Sequence, residues 1–484
     1  MHTDESVNAY LTGGLLAGEK YHYDPQDRHG PALFILAEPI AKLLGAKNFS
    51  ELTETQLRLS TVLTGTATVL LFGAGVEMFG FIACLVAALL FAFAPLPVYY
   101  SRYFIHETLF VAATLGLILS GWCALKKNSL LPAALAGLCA ALMLACKETA
   151  VIHFFAIGVA LLVCRWRGSR NPGAARTVGV QASACLRNTL KRELQLAAAV
   201  AGAPSVKTYL TALTVFIFTV ILLFTWFGRN WAGLADLFRA IPRFAARAGG
   251  EGHEKPFWYY AGLLGGGWSG TVILGFATMG IFRVLRPPRQ IFLATYALLM
   301  VLIYSAIPYK TPWLALNFWL PLAILAGIAI EWLWLASLKF SIRVLILILV
   351  GTIGILVAHD TRQRVFTNPA DEKNPYAYAH TGEDLLRLPV RLEELARQDK
   401  ISNPRIAVVA ADAWPLPWYL RKFPQTGFWQ PEQETGAADF FITTTDVSGK
   451  LAERLKNFRP EFFGARPNLL LILWSPLETA PSHE

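Results

Sequence analysis

Two acids, Asp4 and Glu5, stand among the first residues of the chain, and a His29-Gly30-Pro31 turn follows an aromatic, polar stretch holding Tyr21, His22, Tyr23, Asp24 and Arg28. A carboxylate can take a proton from a hydroxyl as that oxygen forms a new bond, and a histidine beside an arginine can hold an anionic phosphate. Each group also has a plainer reading. Thr3 or Asp4 would cap the helix that follows, and Gly-Pro would start another. Further along, Arg58, Arg102, His106, Glu107, Lys147, Glu148, His253, Tyr309, Lys310 and Trp313 recur near the ends of apolar segments. Arginines in such places grip a phosphate headgroup or anchor the chain by snorkelling. Lys147 beside Glu148 reads equally as a self-neutralising pair, and the stretch from Tyr309 to Trp313 as part of an aromatic belt. Ionisable groups gathered at one end of an apolar bundle mark a site, and this collective argument is stronger than any member of it.

The elements that must position these groups are membrane spans. A hydrophobic content of 55%, a charged content of 16% and a mean hydropathy of +0.44 exclude an ordinary soluble protein. Ten apolar segments could cross a bilayer: 57–77, 79–98, 103–124, 130–146, 149–164, 207–227, 258–282, 291–307, 313–335 and 342–358. Several fall short of the ~20 residues that a ~30 Å hydrocarbon core requires, so tilt or local thinning must supply the difference.

Orientation follows from charge. The 165–206 connection carries Arg165, Arg167, Arg170, Arg176, Arg187, Lys191 and Arg192 against Glu193 alone, which places it in the cytoplasm. Counting spans from there puts Lys126-Lys127, 283–289 and 339–343 on the same side. Residues 1–56, the 99–102, Lys147-Glu148 and Tyr309-Lys310 turns, the 228–257 loop and the tail then face outward. The net charge of +10 is largely this asymmetry and calls for no nucleic-acid partner. The cysteines at 84, 123, 139, 146, 164 and 185 form no external framework and no zinc motif.

The chain therefore divides into an external loop at 1–56 carrying the acidic motif, a transmembrane bundle at 57–358 and an external domain at 360–484. Residues 5–17 and 31–45 read as surface helices, and 228–256 as a long, functional or disordered loop. In the tail, a helix at 383–398, strands at 405–410, 439–443 and 468–474 and a helix near 448–456 make a small α/β domain. No Gly-rich phosphate loop follows any of these strands.

Seven motifs in one order, HTDES, YHYDPQDRHGP, SRYFIHE, CKETA, HEKPFWYY, YKTPW and ADAWPLPWYLR, resemble the flippase-activity-associated family of prokaryotic membrane proteins. That family lies in the GT-C superfamily, with the protein O-mannosyltransferases and the aminoarabinose lipid A transferases. The resemblance implies a GT-C-like α-helical bundle from which the family's first span is missing. It also implies inverting transfer of a sugar from a polyprenyl-phosphate donor at the outer face of the inner membrane. Asp4 matches the essential acid of the first external loop, with Glu5 beside it and Glu107 as the second acid. His29 falls near the lipid phosphate, with Arg58, Arg102 and Lys147. A divalent metal occurs in the superfamily, yet no tight ligand spacing supports one here. Membrane lipids and cell-envelope glycosylation proteins are the expected partners. The alternative is a non-catalytic partner of a flippase that binds lipid-linked sugars.

Overall fold

The structure is a computed structural model that describes residues 1–26, 28–170, 205–283, 288–337, 339–467 and 469–477. Most of the basic 165–206 connection, with Cys185, lies outside the described residues. Among the described residues, six helices are long and apolar enough to cross a membrane: Glu54–Ala74, Glu107–Lys127, Ala150–Arg167, Val206–Phe224, Pro312–Ala336 and Phe340–Thr367. Two bent pairs raise the number to eight, and Leu130–Cys146 and Gln290–Ala306 are shorter apolar helices. Each of the ten expected segments falls on one of these. The chain is a multi-pass membrane protein.

The bends have local causes. Phe81–Phe93 meets Pro95–Ser101 at 57°, where Ala94 is extended because a residue before proline is pushed out of the helical region. Tyr259–Gly265 meets Trp268–Phe282 at 111°, across a glycine run whose Gly267 has φ +101°, a conformation that glycine adopts without a Cβ penalty.

The chain forms two compact units. The larger, residues 20–37 and 58–369, is the helical bundle. Its central element is Leu316–Ala336, buried continuously from Leu316 to Ile330 and packed on Phe81–Phe93 and Trp268–Arg283. Phe340–Thr367, by contrast, has only 6% of its most apolar stretch buried within the protein, as befits a span facing lipid. Small residues bring helices together. A Cβ on Gly137 of Leu130–Cys146 would fall 2.2 Å from the Ala212 carbonyl oxygen of Val206–Phe224, so these backbones touch.

The smaller unit gathers residues 1–19, 38–57 and 370–484. Its sheet has the order β2-β1-β3-β5-β4, from β1 (Ile406–Val409), β2 (Thr426–Trp429), β3 (Phe440–Thr444), β4 (Phe458–Arg466) and β5 (Leu469–Pro476). β1 runs parallel to both β2 and β3, while β5 is antiparallel to β3 and β4. Every residue of β1 is buried, as an apolar strand between parallel neighbours should be. β2 and β4 escape a sequence reading. β2 has four residues including Gly427, and β4 carries Pro460 and Gly464, which suit an edge strand but weaken its sequence signature. The helix expected near 448–456 shortens to Thr445–Ser448 and a 3₁₀ turn at Gly449–Leu451, after which Leu455 packs into the core with Ala407 and Phe441. The helix Thr3–Leu16 packs against Phe49–Glu51 and Leu416–Tyr419 of this unit. A Cβ on Gly13 would come within 2.5 Å of Phe49 Cβ.

Candidate active site

In the bundle, the segment before Ala32 is held by aromatic packing and backbone contacts. Tyr23 meets Phe224 edge-on at 5.3 Å, Tyr21 packs on Trp226 at 5.6 Å, and the Tyr21 hydroxyl donates to the His29 carbonyl at 2.5 Å. A Cβ on Gly30 would lie 2.2 Å from the Ala145 carbonyl oxygen. Only glycine allows the turn to press against the end of Leu130–Cys146.

This close approach brings His29 to Glu148. His29 Nδ1 lies 3.1 Å from Glu148 Oε2, and the Tyr23 hydroxyl donates to Oε1 at 2.5 Å. Burial pushes the Glu148 carboxyl up, but His29 and the two hydrogen bonds outweigh it and bring its pKa down to about 2. The same carboxylate, after burial, drives the Tyr23 hydroxyl above its ordinary range. His106 donates from Nε2 to the Gly30 carbonyl at 3.2 Å and stands edge-on to His29 at 5.4 Å. Burial, then His29 and Lys147, hold His106 well below the usual histidine value, so it is neutral.

Lys147 and Glu148 do not neutralise each other. Lys147 is extended, φ −159° and ψ 143°, and successive side chains of extended backbone point to opposite faces. The Lys147 ammonium donates to Glu107 in a buried ion pair.

Arg243 and Arg247 complete this region, and neither was among the residues singled out from sequence. They lie on the helix Ala232–Arg247, inside the stretch expected to be a loop. Arg28, His29, Glu148, Arg243, Phe244 and Arg247 line one cleft, in which three guanidinium groups meet a single lining carboxylate. Arg247 donates to the Gln26 carbonyl at 3.0 Å, while Arg243 and Arg247 share Glu251 at 2.6 and 3.3 Å.

The remaining bundle residues form two further groups. Arg58 lies over the Tyr103 ring at 5.9 Å. Arg102 donates to the Val365 carbonyl at 2.6 Å, lies 4.6 Å from the centroid of Phe366 and borders a cleft walled by Val62, Val69, Phe91, Val111 and Leu316. The HEKPFWYY and YKTPW motifs form a clip. Lys310 N–H donates to the His253 carbonyl at 3.1 Å, Glu254 and Tyr309 form a β-bridge, and His253 packs on Tyr309 at 4.8 Å. The buried Lys310 ammonium donates to the Lys255 and Ile307 carbonyls at 3.1 and 2.5 Å. Its pKa is lowered by burial. Trp313 is buried near Tyr100, at 6.2 Å.

Asp4 and Glu5 belong to the smaller unit. His2, rather than Thr3 or Asp4, caps the helix, and Glu5 completes a capping box with the His2 N–H at 2.9 Å. Glu5 is fully buried. Asp4 is exposed. Among the described residues no group of three or more His, Cys, Asp or Glu side chains is placed to hold a metal ion.

The sequence model for dolichyl-phosphate-mannose-protein mannosyltransferases matches residues 28–180, which include His29, Glu107, Lys147 and Glu148. ArnT from Cupriavidus metallidurans, bound to undecaprenyl phosphate, shares the fold with a TM-score of 0.60 at 13% identity, over 97% of this chain and 93% of that one. The chain shares the fold of these membrane proteins, and its residues 28–180 resemble the mannosyltransferase family. The chain is also similar to the archaeal oligosaccharyltransferase AglB from Archaeoglobus fulgidus, solved with an inhibitory peptide and a dolichol-phosphate. There the TM-score is 0.55 at 12% identity, over 99% of this chain and 72% of that one. No curated protein sequence matches the chain.

Proposed function

We propose that this protein is a GT-C-type transferase that moves a sugar from a polyprenyl-phosphate donor to an acceptor hydroxyl at the outer face of the membrane. The observation that carries the reading is the cleft of Arg28, His29, Arg243 and Arg247 beside Glu148, in a fold shared with a protein that binds undecaprenyl phosphate. The guanidinium groups offer bidentate donors to phosphate oxygens. They stabilise the charge that grows there as the bond from the sugar's anomeric carbon to the phosphate oxygen breaks. The acceptor oxygen bonds to that carbon from the opposite side, its proton passes to the Asp4 carboxylate, and polyprenyl phosphate leaves. Glu5, buried in the cap, orients the first turn of the Asp4 helix. The Lys147–Glu107 pair and His106 hold the His29 turn in place. Arg102 stands at the apolar cleft, whose walls suit an isoprenoid chain, Arg58 adds a second guanidinium for the lipid phosphate, and the Lys310 and Trp313 clip borders the donor.

The test is Asp4→Asn in the full chain, reconstituted with polyprenyl-phosphate sugars. Because His2 is the cap, the substitution spares the helix start while removing the proton acceptor. Turnover should fall by ~10²-fold or more with lipid binding unchanged. Equal transfer by the variant, or no transfer by the wild type, would favour the flippase partner that binds lipid-linked sugars.

A further inference from the structure

The first turn of the Asp4 helix is tied to the C-terminal domain at three successive points. His2 Nε2 lies 2.5 Å from the Tyr378 carbonyl. A carbonyl only accepts, so Nε2 carries the proton, and Nδ1 is left to accept the Asp4 N–H at 3.1 Å. Arg466, at the end of β4, donates to Thr3 Oγ1 at 3.3 Å and to Asp412 Oδ2 at 2.5 Å. The Ser6 hydroxyl donates to the Pro415 carbonyl at 3.4 Å.

The place of these ties in the sheet is informative. Asp412 follows the carboxyl end of β1, and its other oxygen accepts the Trp414 N–H at 3.1 Å. β1 lies between β2 and β3; the chain leaves β1 toward β2 on one side and leaves β3 toward β4 and β5 on the other. In open α/β sheets such a switch point is where ligands bind. Arg466 therefore fastens the start of the Asp4 helix to the edge of that crevice.

We propose that His2 and Arg466 are positioning residues for the Asp4 carboxylate, so that the C-terminal α/β domain sets the geometry of proton removal. This rests on the transferase reading, in which Asp4 accepts the proton. His2 fixes the Asp4 backbone by its N–H, and Arg466 fixes the preceding residue by its hydroxyl. Neither touches the reacting atoms. Small displacements of a reacting group are costly, since a misplacement of about 1 Å can lower a rate by ~10²-fold.

The experiment uses the full chain in lipid nanodiscs. The probe is undecaprenyl phosphate carrying mannose, glucose, galactose or aminoarabinose, whichever the wild type turns over. His2→Ala and Arg466→Ala should lower kcat by about 10-fold or more, with KM for the donor and binding of undecaprenyl phosphate unchanged. His2→Asn should restore most of the loss, because its side-chain oxygen can accept the Asp4 N–H. In the Asp4→Asn background, Arg466→Ala should cost nothing further, since its target is gone. Should Arg466→Ala fail to fold, Thr3→Val removes the same contact with little change of shape and should show the same fall. Wild-type kcat in these variants, with Asp4→Asn still impaired, overturns this inference alone, as does a loss that persists undiminished in the Asp4→Asn background. A wild type inert toward every donor, or an Asp4→Asn variant as active as wild type, overturns the transferase reading and this inference with it.

Discussion

Glu148 holds its charge under burial because His29 and Tyr23 compensate for lost water, and this gives it a defined pH signature. Its carboxyl is depressed from an ordinary 4.5 to about 2. The stabilisation it contributes is therefore full above 4.5 and is lost as the pH falls through about 2. Glu148→Gln should melt below the wild type at neutral pH, and the gap should close between those two values in detergent unfolding curves. A constant gap would mean that the His29 contact does not couple folding to protonation. The neighbouring pair predicts a larger effect. Lys147→Met leaves Glu107 buried without its cation, and breaking such a pair costs about 3–5 kcal/mol, to be read from chemical unfolding against the wild type. Sequence singled out His29, Glu107, Lys147 and Glu148, with a Lys147–Glu148 pair as the plainer reading, but gave no partner for His29 or Glu107. Adjacency suggested Lys147 with Glu148, whereas the extended backbone of that turn sends the two side chains apart. The Glu107 partnership spans 40 residues, and only the packing of two helices decides it.

At the level of elements, the spans were legible because each is an apolar run of roughly the length a bilayer demands. The helix Ala232–Arg247 was not, although its pattern is strong. Leu234, Leu237, Phe238, Ile241 and Phe244 recur at helical spacing, and Arg239, Arg243 and Arg247 follow one another every fourth residue. Pro242 inside the helix and the glycines after it gave the stretch the composition of a loop. Close helix contacts were equally hidden, since a glycine in an apolar run does not reveal what it faces. Gly137→Val should push Leu130–Cys146 off Val206–Phe224 and destabilise the bundle by about 1–3 kcal/mol. Gly121→Ala, where an added Cβ meets nothing within 4 Å, should unfold as the wild type does. Equal effects of the two substitutions would refute the close backbone approach.

For the whole molecule, the orientation derived from basic residues can be measured directly. On a background lacking the native cysteines, an impermeant thiol reagent applied to intact cells should modify Lys373→Cys and spare Lys127→Cys. The opposite pattern would invert every outer-face assignment. The smaller unit has a further consequence, because it draws on both ends of the sequence and leaves the bundle between them. His2 and its acceptor Tyr378 are separated by 376 positions, and at ~5–20 residues per second a ribosome needs roughly 20–75 s to make that stretch. During that interval the bundle helices are synthesised while the Asp4 segment has none of its partners from the tail. On the proposed transferase reading, the protein is made in a latent form, its donor-binding half complete first and its proton acceptor set only when the last strands emerge. On that same reading, a ribosome that stalled before Arg466 would leave a protein able to bind the lipid carrier and unable to discharge it.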